Sequence, residues 1–282
     1  MADRPLEGKV ALVSGAGSPI GFGRRMTFAL TAAGARVAMM DVSEEWVNRT
    51  ADEVRAVAGQ DSVLPIVESV SSWESAARAV DTAITDLGGL DILVNNAGTN
   101  PRNVGLTSEF REKCWEVSPE AWLRVFGVNC AGPFYMVRAA VGHMIEKGWG
   151  RIIGVTTSLN TMYRAYGSPY GPSKAGHEAF MATLCQELEG TGVTANILVP
   201  GGPANTNLIP QDAEYNREEL IQPPVMEKPV VWLASEASDG INGRRFIAYH
   251  WDEGLPLEER LAQASAPCAW PQAGQPAIAP GR

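Results

Sequence analysis

The sequence predicts a single α/β domain in which a parallel sheet carries helices on both faces. Two observations predict it. Short apolar runs that read as buried strands alternate with stretches of helical periodicity along most of the chain, and repeated βα units of this kind build a parallel sheet covered on both sides. A glycine-rich stretch, SGAGSPIGFGRR at residues 14–25, joins the first strand to the first helix, which is where such folds bind phosphate groups.

Taken in order, residues 9–15 (KVALVSG) form an apolar run ending in glycine, a buried strand. Residues 23–34 place Met26, Ala29, Leu30 and Ala33 on one helical face, with Gly34 as the stop. Strand ARVAMMD (35–41), helix 44–58, strand SVLPIVESV (62–70), helix 73–87 and strand LDILVNNAG (90–98) follow. Residues 99–119 are polar and irregular. Residues 120–147 read as a helix that Gly132 and Pro133 interrupt. Strand GRIIGVTTS (150–158), helix 170–189, strand VTANILVPG (193–201) and strand GRRFIAY (243–249) complete the pattern. The expectation is one Rossmann-type doubly wound domain over residues 1–257 with a seven-stranded parallel sheet. Residues 258–282 are rich in Ala and Pro, lack a strand pattern and read as a tail. Two readings of it stay open: a loosely ordered tail, or an arm that packs Trp270 onto a neighbouring subunit or over the site.

Composition narrows the function. The net charge is −9, which argues against nucleic acid and anionic membrane surfaces as partners. No apolar run reaches the ~18 residues of a membrane span, and the first ten residues, MADRPLEGKV, lack the apolar core of a secretory signal. A cytoplasmic protein is expected. The four cysteines and three histidines are scattered without metal-ligand spacing, so the expected thiols are reduced and no metal is expected.

Glycines let backbone approach a pyrophosphate, and the helix that follows offers free N–H groups and partial positive charge. Ser14, Gly15 and the Gly21-Phe22-Gly23 end are expected to bracket the cofactor, with Ser18-Pro19-Ile20 bulging around it and Ile20 near a phosphate or ribose. The second strand ends at Asp41, followed by Val42, 18 residues after Gly23. A carboxylate there accepts from the adenosine ribose hydroxyls. It also opposes a 2′-phosphate: two like charges ~4 Å apart at an effective dielectric of ~20 cost about 4 kcal/mol. NAD is therefore expected rather than NADP.

Four further motifs fall in order behind this loop: NNAG at Asn95–Gly98, Asn129 in FGVNCAG, YGPSK at Tyr170–Lys174, and VPGGPANT at Val199–Thr206. In these the chain resembles the short-chain dehydrogenase/reductase family over about residues 6–250. The chemistry also follows from residue types. Tyr170 and Lys174, at i and i+4, share a helix face. A free phenol titrates near ~10, and a nearby ammonium favours the phenolate, so Tyr170 is expected as general acid/base. The resemblance implies that Lys174 also binds the nicotinamide ribose and that Asn129 opens its helix and positions a proton-relay water. Asn96, Ala97, Gly98, Val70, Pro200, Gly201, Gly202 and Thr206 are implied at the cofactor. The family places a serine about 13 residues before the tyrosine. Thr157 has that spacing and Ser158 has that residue type; either hydroxyl could stabilise charge on the substrate oxygen, and both stand as candidates.

The chain departs from the family pattern in several places. The glycine loop is longer than TGxxxGxG, Ser14 stands for a threonine, and Ser69 stands where an acid usually meets the adenine. Gly202 is an extra residue, and AYHWDEGLP replaces a glycine-rich end. Trp115, Tyr163, Tyr166 and Trp251 suggest a hydrophobic, aromatic or cyclic secondary alcohol or ketone as substrate, whereas Arg102 and Arg164 read as isolated. An NADPH-dependent ketone or 3-oxoacyl-thioester reductase is the first alternative, opposed by Asp41. A non-catalytic nucleotide sensor or scaffold is the second, opposed by Tyr170 and Lys174. The resemblance implies a homo-oligomer, tetramer or dimer, built through the long helices.

Overall fold

The computed structural model describes residues 4–107, 112–210, 212–213 and 215–270. Its strands are β1 (Val10–Ser14), β2 (Arg36–Asp41), β3 (Val63–Val67), β4 (Ile92–Asn95), β5 (Gly150–Val155), β6 (Val193–Val199), β7 (Arg244–Ile247) and β8 (Ser265–Pro267). They form one sheet in the order β3-β2-β1-β4-β5-β6-β7-β8. Strands β1 to β7 pair in parallel, with Val13 facing Met39 on β2 and Val94 on β4. The order reverses between β1 and β4, so their C-terminal ends open the crevice in which doubly wound sheets bind ligands.

The helices are α1 (Phe22–Ala32), α2 (Glu44–Ala58), α3 (Trp73–Leu87), α4 (Pro119–Phe126), α5 (Gly132–Lys147), α6 (Leu159–Tyr163), α7 (Tyr170–Glu187), α8 (Glu227–Ala234) and α9 (Leu257–Ala264). Alternation along the strands divides the core in two. Ala11 and Val13 of β1 join Met26 and Leu30 of α1, Val54 of α2 and Leu233 of α8. Val10 and Leu12 join Val80 of α3, Met136 of α5 and Met181 of α7 on the other face. Each fully buried Leu or Met side chain contributes roughly 1.5–3 kcal/mol. Serines cap α2, α3 and α4: the Ser43, Ser72 and Ser118 side chains accept from Trp46, Ser75 and Ala121 N. Helix α1 begins at Gly21 without a side-chain cap.

Helices α6 and α8 fall in segments for which no helix was expected, and two further elements differ from expectation. The sheet has eight strands rather than seven, because part of the segment read as a tail forms α9 and then β8, which runs antiparallel along β7. Ser265 Oγ accepts from the Arg244 guanidinium at 2.8 and 3.0 Å, and Ala264 is buried. A three-residue strand without β-branched residues leaves no alternation to read. Residues 271–282 of that segment lie outside the described residues. The second difference is where the helix over residues 120–147 is interrupted, expected at Gly132 and Pro133. It is broken by a π-helical turn, Gly127–Ala131, just before Pro133, which has no N–H to donate. No described helix is long and apolar enough to cross a membrane.

Candidate active site

Close backbone approach shapes the cofactor side of the crevice. Gly15 has φ +66°, and a Cβ there would lie 2.9 Å from Ala97 Cα. A Cβ on Gly23 would lie 2.2 Å from the Gly15 carbonyl oxygen. Both glycines are thus required by space. Ser14 is buried, and its hydroxyl accepts from Asn96 and Ala97 N, each at 3.1 Å, while Asn96 Nδ2 donates to the Ser14 and Gly15 carbonyls at 2.9 and 3.1 Å. These two residues staple β1 to β4 across the switch point. The uncapped start of α1, with no acid in its first turn, leaves N–H groups for an anion. A dinucleotide pyrophosphate fits this cradle.

Asp41 is half-buried at the end of β2. Its carboxylate accepts from Gly17 N at 2.9 Å and Ser43 N at 3.1 Å. A Cβ on Gly17, a glycine of the same stretch, would lie 2.8 Å from Val47 N, and its carbonyl accepts from Thr50 Oγ1 at 2.9 Å. The loop's extra length is therefore pinned back onto β2 and α2. The Ser18-Pro19-Ile20 stretch is bridged to a later loop, Asn207 N donating to the Ile20 carbonyl at 3.1 Å and Asn207 Nδ2 to Ser18 Oγ at 3.0 Å. Ile20 and Val42 are exposed. Ser69 N donates to Ser75 Oγ at 2.8 Å, and Val70 is buried under Gly132. Arg24 and Arg25 pair with Glu53 and Glu227.

The reaction side is made of buried polar side chains. Tyr170 and Lys174 lie one turn apart on α7. Lys174 Nζ donates to the Val155 carbonyl at 2.8 Å, and burial pushes its pKa down to about 8, against a smaller upward effect of Cys130. Burial raises the Tyr170 pKa; a hydrogen bond with the Thr157 side chain and the Arg164 charge oppose this. The positive charge lowering it here is thus that of Arg164, whereas Lys174 was expected. Of the two candidate hydroxyls, both of which line the cavity with Tyr170, it is Thr157 that draws the Tyr170 pKa down. Ser158 Oγ lies 2.8 Å from Thr161 Oγ1 instead. Asn129 sits in the π-turn, fully buried; it donates to the Thr99 carbonyl and Ser173 Oγ, each at 2.9 Å, and accepts from Thr99 N at 2.8 Å. The turn that interrupts the helix aims Asn129 at the segment following β4, and Gly98 there leaves room for Lys174 Nζ.

A cavity of about 480 Å³ opens between these groups and the segment after β6. Thr157, Ser158, Tyr170, Pro200, Gly201, Gly202 and Thr206 line it, together with Phe22. Gly201 takes φ +112°, and a Cβ on it would lie 2.8 Å from Tyr249 Cβ. The aromatic wall differs from expectation. Tyr166 lines the cavity, but Trp115 and Tyr163 are each 76% exposed elsewhere, and Trp251 is buried against Trp232 and Phe246. Tyr215, unsuspected from sequence, lines it instead. Arg102 and Arg164, which read as isolated, stand on the same cavity. Arg102 pairs with Asp212 at 2.7 Å. Among the described residues no cluster of three or more His, Cys, Asp or Glu side chains gathers.

A doubly wound sheet with a dinucleotide cradle at its switch point and a Tyr–Lys pair beside it defines an oxidoreductase that works with a nicotinamide cofactor. The chain belongs to the short-chain dehydrogenase/reductase family: the model of that family, described as short chain dehydrogenase, matches residues 9–215. It is 31% identical over 266 residues to the short chain dehydrogenase/reductase astE of Aspergillus oryzae, covering 89% of this chain and 96% of that protein. To the 2-dehydro-3-deoxy-D-gluconate 5-dehydrogenase of Escherichia coli it is 30% identical over 249 residues, covering 84% and 92%. The crystal structure of a 3-ketoacyl-(acyl-carrier-protein) reductase from Brucella melitensis complexed with NADH superposes with a TM-score of 0.72 at 28% identity, covering 84% of this chain and 95% of that one.

Proposed function

We propose that the protein is an NAD-dependent dehydrogenase/reductase that interconverts a secondary alcohol and its ketone. The arrangement that carries this reading is Thr157 and Tyr170 lining one cavity, where the Thr157 side chain draws the Tyr170 pKa down against burial, with Lys174 one helical turn behind. When bound, the nicotinamide supplies hydride exchange with carbon. Tyr170 exchanges a proton with the substrate oxygen as general acid/base. Thr157 holds that oxygen and steadies charge developing on it. Lys174 supplies a ribose contact, Arg164 supplies the positive charge that favours the Tyr170 phenolate, and Asn129 holds the segment after β4 against α7 to keep a proton path open. The Asp41 carboxylate supports NAD over NADP, because a 2′-phosphate would meet its charge; the NADH in the Brucella structure is in keeping with this.

Arg164 on the cavity wall favours a substrate that carries an anionic group, whereas Arg102 beside it is already paired with Asp212 and Glu112 adds an acid to the lining. The hydrophobic substrate expected from the aromatic residues lost three of its four supports. The gluconate derivative named for the E. coli relative is of the anionic kind. A homo-oligomer is part of the proposal: α4 and α5 expose Trp122, Leu123, Phe134 and Ile145. Light scattering at micromolar concentration would return a monomer mass if this is wrong.

Fluorescence titration is expected to show NADH binding more tightly than NADPH; the reverse order would overturn the cofactor assignment. Hydride transfer across a panel of neutral and acidic alcohols is expected for the wild type and to fall ~10²–10⁴-fold in Tyr170→Phe with NADH affinity kept. No turnover on any alcohol would leave a nucleotide-binding scaffold as the better reading.

A further inference from the structure

Behind the reaction side lies a buried ion pair that no motif includes. Glu178 follows Tyr170 and Lys174 at i+8 and i+4, so all three share one face of α7. Arg245 comes from the middle of β7, where it pairs in register with Ile197 of β6. Its Nη1 donates to Glu178 Oε2 at 2.7 Å, with side-chain exposures of 6% and 0%. Such a pair is costly in a core unless its remaining hydrogen-bonding atoms are also engaged. Here they are engaged at the reaction loop. Thr156 Oγ1 donates to Glu178 Oε2 at 2.7 Å and accepts from Arg245 Nη1 at 3.3 Å. Arg245 Nη2 donates to the Thr157 carbonyl. Ala269 N, just past β8, donates to Glu178 Oε1 at 3.2 Å.

We infer that Arg245 and Glu178 are positioning residues that set Thr157 against Tyr170, and that the segment carrying β8 is the outer part of this clamp. Neighbouring residues at a strand end point opposite ways. The clamp takes Thr156 inward and holds the Thr157 carbonyl from behind, while the Thr157 side chain lines the cavity. A slip of one residue would present Ser158 or Thr156 instead. The inference rests on the roles of Thr157 and Tyr170 proposed above.

Arg245→Lys tests it. Lysine keeps a cation for Glu178 but lacks the second nitrogen of the fork that reaches the Thr157 carbonyl. The Tyr170 phenol is titrated by ultraviolet difference absorbance against a Tyr170→Phe background, with no cofactor present. The midpoint is expected to move up by about half to one pH unit, the size of one lost hydrogen bond. kcat is expected to fall about tenfold with NADH affinity within about twofold, as for a small misplacement at the reacting atoms. A midpoint that does not move overturns the inference, whatever happens to thermal stability. A wild type that turns over no alcohol while the midpoint still moves overturns the assigned reaction and leaves the clamp standing. If Arg245→Lys does not fold, Thr156→Val, which removes the clamp's Thr156–Glu178 hydrogen bond without changing any charge, is titrated in the same way: an upward shift supports the clamp and an unmoved midpoint overturns it.

Discussion

The two sides of the crevice are built from different materials. The cofactor side is backbone: Gly15, Gly17 and Gly23 lie where a single added carbon would meet main-chain atoms at 2.9, 2.8 and 2.2 Å. Its side chains, Ser14, Asn96 and Asp41, hydrogen-bond to that backbone. The reaction side is side chain: Thr157, Tyr170, Lys174 and Asn129, placed by partners that include a buried charge pair. A site of the first kind fails when an atom is added. A site of the second kind fails when a polar partner is removed.

The largest effect within this contrast is expected between two adjacent hydroxyls. Thr157→Ala removes the hydroxyl proposed to hold the substrate oxygen and should lower kcat by about 10²–10³-fold, as losses of transition-state hydrogen-bond donors do. Ser158→Ala removes only a part-buried contact to Thr161 and should stay within about threefold, since one such hydrogen bond contributes about 1 kcal/mol. Steady-state kinetics on both variants decides the matter. If Ser158→Ala were the damaging change, the reaction side would not be organised by the clamp at all.

The same contrast explains what could be read from the sequence. Glycines at fixed spacing after an apolar run announce a backbone site, and a tyrosine and lysine four residues apart announce a shared helix face. The sheet, the cradle and the Tyr170–Lys174 pair were legible for that reason. Glu178 and Arg245 were not, because residues 67 positions apart meet only through the sheet order. The role of Gly17 was not legible, because it lies in what α2 presses against it. Trp251 looked like a substrate contact, but the three-ring cluster with Trp232 and Phe246 draws it into the core. Short β8 carries no periodicity, yet the edge of β7 and the Arg244–Ser265 hydrogen bonds give it a place.

A smaller effect is expected from adding one methyl group inside the cradle and one outside the crevice. Gly23→Ala should weaken NADH binding at least about tenfold and cost about 1–3 kcal/mol of stability, as overpacking does. Gly142→Ala, inside α5 where a Cβ would meet nothing within 4 Å, should leave binding unchanged and stabilise by about 0.5–1 kcal/mol. Fluorescence titration and urea unfolding read both. Equal NADH affinities in the two variants would mean that the cradle gives way to admit the methyl group.

The smallest effect separates the two sides by pH. Lys174 holds its proton less tightly in the folded protein, with a pKa of about 8 against an ordinary 10.5. The unfolded chain therefore binds more protons between those values, and this group makes stability rise with pH across that window. Below about 8 both states are protonated and the burial cost is constant; above about 10.5 neither is. Between about pH 7 and 9 the wild type should gain about 1 kcal/mol relative to Lys174→Met. Urea unfolding of both proteins at the two pH values measures the difference. Gly23→Ala, which adds no titratable group, should run parallel to the wild type across the same window. Parallel curves for Lys174→Met would mean that water reaches the ammonium, and that the reaction side is less dry than the Val155 contact implies.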